Sequence, residues 1–185
     1  TDGNAEYAKP YWDILTTWVD YLVENGQDPE NQLCTDDFAG HWAHNANLSV
    51  KAIMGIAAYS EIARIMGKDD VAEKYLAKAS EMAKKWEEMA RDGDHYRLAF
   101  DRPDTWSQKY NMVWDKMWNT NIFPKEVMQK EIAYYLTKQE KRRVIRAQYG
   151  DTIPTPLGQM VVHKTPFMDS TYVDRPITVT KSSPM

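Results

Sequence analysis

The 185-residue sequence has one cysteine, Cys34, so no internal disulfide can form, and a zinc cluster would have to be built from its four histidines. It has no run of about 18 apolar residues, the length a membrane-spanning helix requires. Polar residues follow Thr1, so no signal peptide is expected in this chain. A basic excess is missing too. With 23 Lys and Arg against 27 Asp and Glu, the net charge of −4 offers nothing to a phosphate backbone, and nucleic acid is not an expected partner. A Gly-rich phosphate loop, a GxSxG elbow, a CxxC pair and EF-hand spacing are all absent. Nucleotides, serine-hydrolase chemistry and redox thiols are therefore disfavoured, and no cofactor is expected.

What is present is one domain's worth of chain, with 43% apolar and 27% charged residues, the balance of a soluble globular protein. Seven Trp and eleven Tyr are an excess that suits either an aromatic core or a pocket stacking on a small polar ligand. The composition changes near residue 141. From Arg142 on there are six Lys and Arg and three Asp and Glu, which leaves 17 and 24, a net −7, up to Lys141. No Glu follows Glu140, and five of the nine prolines lie in that last part. The expected organisation is a helical domain over 1–141 and a Pro-rich tail over 142–185, extended, β-like or disordered.

Before the boundary the signals are helical. Tyr11 to Asn25 places Ile14, Leu15, Trp18, Val19 and Leu22 on one stripe, with Pro10 before it and Gly26 after it. Asn47 to Met66 is rich in Ala and Gly around four isoleucines, the pattern of a closely packed inner helix. Gly67 ends it and Asp69 is a fitting N-cap. Val71 to Arg91 follows as an outer helix, with Ala72, Tyr75, Leu76, Ala79, Met82, Ala83 and Trp86 inward. His95 to Phe100 reads as β-like, Asp101 to Thr105 as a turn, and Trp106 to Trp118 as helical. A last helix begins at Pro124 with Val127, Met128, Ile132, Tyr135 and Leu136 inward. The expected fold is all-α, an array of helical hairpins with function-bearing loops at one end.

Two stretches carry candidate chemistry. In TDDFAGHWAHNAN, Thr35 to Asn47, adjacent Asp36 and Asp37 provide an acid or base whose pKa the like-charged neighbour can raise, though either also suits a helix cap. His41 and His44 lie three apart, but without HExxH they read as hydrogen-bonding or packing histidines, and no metal is assigned. Cys34 reads as a small buried hydrophobe rather than a nucleophile. In DTWSQKYNMVWD, Asp104 to Asp115, a helical register would put Trp106, Tyr110 and Trp114 on one face, flanked by Lys109, Asn111 and Asp115. That face suits a small polar substrate, or it is core packing.

These two segments, extended to Asn31–Ala63 and His95–Pro124, resemble the six-hairpin domain of glutaminase A-type proteins of fungi and Bacteroides-like bacteria. The resemblance covers about residues 7–141. It implies an α/α-toroid of helical hairpins, export to the periplasm, cell surface or medium, and hydrolysis of glutamine to glutamate and ammonia. Asp36, Asp37 and Asn47 match its TDD…N segment, and Trp106, Lys109, Tyr110, Asn111, Trp114 and Asp115 match DTWSxKYNxxWD. The family continues with YGVPLDSRxxYTKxDW and further hairpins, whereas Arg142 to Met185 shows nothing like it. The tail is therefore expected to be foreign to the family, and the chain to be part of a toroid whose open apolar edge invites self-association.

The combined reading is a glutaminase-like hydrolase. Asp36 or Asp37 would be the base, Asp115 an acid and Lys109 the ligand for the substrate carboxylate. Trp42, Asn47, Trp106, Tyr110, Asn111 and Trp114 would line the pocket. The alternatives are a glycoside-processing toroid, with two carboxylates and stacking tryptophans, and a carbohydrate- or partner-binding module without chemistry.

Overall fold

The computed structural model describes residues 3–30, 42–149, 152–155 and 158–161, with side chains described as far as residue 138 and at residue 140. A 3-10 turn at Lys9–Tyr11, with Pro10 fixing φ, leads into helix α1, Trp12–Asn25. Helix α2, Ala46–Ile65, begins at Asn45, whose side-chain oxygen accepts a hydrogen bond from the Leu48 N–H at 2.8 Å. It ends at Gly67, where φ is 71°, a conformation open to residues without a Cβ. Helix α3, Asp69–Ala90, runs back along α2. Lys68 occupies the cap position without a side-chain cap, and Asp69 lies in the first turn, where its charge still meets the helix dipole favourably.

Twelve residues of α2 are buried, as its small side chains require, because it is packed on two sides. Alanines let it approach α3, and Gly26 lets the end of α1 close onto it. A Cβ on Gly26 would stand 2.6 Å from the Ala52 Cβ. An aromatic stack joins the three helices. Trp12 lies on Tyr59 at 4.6 Å, and Tyr59 meets Tyr75 edge-on at 4.9 Å. The polar ends are satisfied: the Tyr59 and Thr16 hydroxyls are 2.6 Å apart, and Tyr75 donates to Asp20. Burial, and next the Asp20 carboxylate, push the Tyr75 phenol up.

The inward side of α1 differs from the expected stripe. Trp12, Leu15, Val19 and Leu22 face α2, but Ile14 and Trp18 are exposed. The helix has two apolar stripes, and only one of them packs here.

After α3 the chain forms a short antiparallel hairpin, β1 Arg91–Asp92 and β2 His95–Tyr96, turned at Gly93 with φ of 56°. Residues 98–100 then lie antiparallel to 44–46, with Ala46 N–H donating to Leu98 O and Phe100 N–H to His44 O. Trp86, fully buried, fastens this junction: its indole N–H donates to Ala46 O at 2.8 Å, and its ring packs on Tyr96 and Phe123.

The expected helix over Trp106–Trp118 is shorter. Residues 106–109 are irregular, Tyr110–Met112 is a 3-10 turn, and helix α4 covers Val113–Trp118. Helix α5, Lys125–Tyr149, starts after Pro124 and runs without a break through residue 141. Its inward face also departs from expectation, because Ile132 and Leu136 are exposed while Val127 and Glu131 are buried. A second hairpin pairs β3, Thr152–Thr155, with β4, Gly158–Val161. The chain is all-α in architecture, two short hairpins apart, and among the described residues no helix is long and apolar enough to cross a membrane.

Candidate functional site

The two motif segments meet at a pair of buried asparagines. Asn47 lies in the first turn of α2 and Asn111 in the 3-10 turn before α4. The Asn111 N–H donates to Asn47 Oδ1 at 3.3 Å, and Asn111 Nδ2 donates to the Asn47 carbonyl at 3.2 Å. Residues 64 apart in sequence are thereby locked in register. Beside them Tyr110 and Trp114 are partly exposed, and Trp114 stacks on Trp118 at 5.2 Å. Trp42 is half-buried, with the Arg102 guanidinium 5.0 Å from its ring centroid.

Asp36 and Asp37, with Cys34 and His41, lie outside the described residues. The segment that leads to them is fastened at both ends, because His44 N–H donates to Pro29 O and its Nδ1 pairs with Asp28 Oδ1 at 2.8 Å. The hydrogen bond to Asp28 holds the His44 pKa above its usual value.

Asp115 is engaged elsewhere. Its carboxylate accepts from the Thr120 hydroxyl at 2.6 Å, the Ile122 N–H at 2.9 Å and the Phe123 N–H at 3.1 Å. It organises the turn after α4, in which Asn119 and Asn121 have φ of 55° and 52°. The chain here needs an anionic acceptor to hold a left-handed turn, and Asp115 supplies it.

Lys109, expected to meet a substrate carboxylate, lies in the interior. Its ammonium has three N–H groups, and they donate to Tyr96 O at 2.9 Å, Ser107 O at 2.7 Å and Glu131 Oε2 at 3.2 Å. Lys109 and Glu131 expose 1% and 3% of their side chains, so no donor is left for an incoming ligand. Burial pushes the Lys109 pKa down against the opposing pull of Glu131. Glu131 also accepts from the Tyr96 N–H at 2.9 Å and from the Tyr135 hydroxyl. Burial, reinforced by Glu131, raises the Tyr135 phenol.

Trp106 lies in the interior as well. It precedes both the 3-10 turn of Tyr110 and the helix of Trp114, and is buried against Tyr134 and Tyr135, each ring 6.0 Å away. Its indole N–H and the neighbouring Ser107 hydroxyl are buried without hydrogen-bond partners. The sequence reading missed Glu131. The signal was an acidic residue four positions after Val127 and four before Tyr135, on the stripe of α5 that also includes the inward Met128. Among the described residues no His, Cys, Asp and Glu side chains group as a metal site.

The family model of the glutaminase A six helical-hairpin domain matches residues 1–151. The chain belongs to the glutaminase A six-hairpin family. A glutaminase A of Aspergillus oryzae is 33% identical over 140 residues, 74% of this chain and 20% of that protein. A probable glutaminase of Arthroderma benhamiae is 42% identical over 119 residues, 63% of this chain and 14% of that protein. This glutaminase A-family chain thus spans about a fifth or less of the length of the curated relatives it matches. No solved structure matches it. The family match continues through α5 past residue 141, the boundary expected from composition.

Proposed function

We propose that the chain forms one wall of a site that hydrolyses the side-chain amide of glutamine. The Asn47–Asn111 pair carries this reading, since it ties the start of α2, about ten residues after Asp36 and Asp37 in sequence, to the turn that presents Tyr110 and leads to Trp114. In the proposed mechanism Asp37 or Asp36 takes a proton from water as its oxygen attacks the amide carbon. The same carboxyl group then passes that proton to the amide nitrogen, the C–N bond breaks, ammonia leaves, and glutamate remains. Trp42, Tyr110 and Trp114 flank the substrate. Asp115 and Lys109 act through the backbone they hold, Asp115 on the turn after α4 and Lys109 on the segment before it. The names of the relatives support the reaction class.

The partly exposed Tyr110 and Trp114 side chains favour a second reading, in which a sugar ring stacks on this face. Titration of the chain with glutamine and with a panel of glycosides, followed through assigned indole resonances, separates the two. The amide reading predicts that glutamine shifts Trp114 and Trp42 while buried Trp86 stays unmoved. Shifts produced by glycosides and not by glutamine would transfer the site to sugars.

A further inference from the structure

With Lys109 fully engaged inside the fold, the carboxylate of a glutamine substrate has to find its cation elsewhere. Among the arginines with described side chains, Arg64 donates to Glu61, Arg91 to Glu87 and Arg97 to Phe100 O. Arg102 differs. Its guanidinium carbon lies 5.0 Å from the ring centroid of Trp42, and 52% of its side chain is exposed. Its Nε faces Asp101 at 3.6 Å, too far for a hydrogen bond, and among the described residues no acceptor meets its two Nη groups.

The backbone that carries Arg102 is held from several sides. Arg102 N–H donates to Ala99 O at 3.0 Å, and the Thr105 hydroxyl donates to Arg102 O at 2.6 Å, which closes the turn on itself. Asp104 N–H donates to Asp92 Oδ2 at 2.8 Å and holds Asp104 at a φ of 60°, a left-handed conformation uncommon outside glycine. Phe100 N–H donates to His44 O, two residues past Trp42, and so ties the turn to the chain that bears the indole. Backbone kept in a sparsely populated conformation by many bonds is characteristic of binding sites.

We propose that Arg102, steadied on Trp42, binds the α-carboxylate of the substrate through its two Nη groups; this rests on the amide-hydrolysis reading. A planar guanidinium offers a carboxylate two parallel N–H donors, and one already stacked on an aromatic ring gives up little rotational freedom in doing so. Asp101 lies on the Nε side and leaves the Nη edge open. Trp42 thereby has two tasks, orienting the cation and bordering the substrate. A free α-carboxylate becomes a requirement for tight binding, which a glycoside does not meet.

Calorimetric titration of the whole chain with glutamine and with its α-amide, for the unaltered protein, Arg102→Met and Arg102→Lys, tests this. The unaltered chain is expected to prefer glutamine by about 10-fold or more. Arg102→Met should abolish the preference by weakening glutamine while the α-amide binds as before, and Arg102→Lys, which restores the charge but not the fork, should recover part of it. The ratio of two affinities within one variant does not depend on how much of that variant is folded, so a partly unfolded protein still gives an answer. Glutamine binding that is unchanged in Arg102→Met overturns the proposal and leaves the amide reading standing. Equal weakening of both ligands, the mark of a merely structural arginine, overturns it too. An unaltered chain that binds no glutamine removes the amide reading and this proposal with it.

Discussion

Asn111 donates two hydrogen bonds to Asn47, one from its backbone to the side-chain oxygen and one from its side chain to the backbone carbonyl. Both residues are buried, so each bond lost leaves a polar group without water to replace it. Asn47→Ala and Asn111→Ala are each expected to lower unfolding free energy by about 1–3 kcal/mol. Asn111→Asp, which sets a carboxylate against the Asn47 carbonyl, should cost more than Asn111→Ala. Urea denaturation of the three variants checks the order.

Lys109 and Glu131 form a buried ion pair within a hydrogen-bond network. Lys109→Met leaves the Glu131 carboxylate buried with the Tyr96 N–H and Tyr135 hydroxyl alone, an expected loss of about 3–5 kcal/mol. Lys109→Met with Glu131→Gln removes both charges and should recover part of that loss. A double-mutant cycle measures the recovery; additive losses would show that the two charges do not interact.

Gly26 is held by close approach rather than by an unusual φ. The methyl of Gly26→Ala meets the Leu22 carbonyl and the Ala52 side chain, so α1 must lift from α2, with an expected loss of about 1–3 kcal/mol. A rise in melting temperature, the usual gain when a helix-end glycine gains a side chain without strain, would contradict the contact.

The pairing of His44 with Asp28 is pH-dependent. The folded pKa lies above the unfolded value of about 6.5. The stabilisation is therefore fully present below about pH 6.5 and fades as pH rises through the folded value. Both side chains are more than a third exposed, so solvent screening keeps the effect small. Titration of the His44 ring by NMR should give a midpoint above 6.5, and Asp28→Asn should bring it down.

The α2–α3 hairpin is legible in the sequence because small residues crowd one helix and a single apolar stripe marks the other. Helix α1 is legible in extent but not in orientation: Leu15, Val19 and Leu22 form one stripe and Ile14, Trp18 and Tyr21 another, and periodicity does not say which packs on α2. The aromatic positions 106, 110 and 114 keep a helical spacing that the backbone does not follow, because residues 106–109 instead run as irregular chain beside α5, with Trp106 packed on Tyr134 and Tyr135. Lys109 and Asp115 look like site residues in sequence because their partners come from elsewhere in the fold. Glu131 stands 22 residues from Lys109, and the donors to Asp115 are mostly backbone N–H groups that carry no sequence signal.

The most direct measurement is ammonia release from glutamine by a chimera in which residues 7–141 replace the matching segment of the Aspergillus oryzae relative, with and without Asp37→Asn and Asp36→Asn. The chimera is expected to turn over glutamine, and one of the two variants to lose about 100-fold or more of that rate while keeping its melting temperature. A folded chimera that releases no ammonia, or two variants that turn over as fast as their parent, would contradict the account.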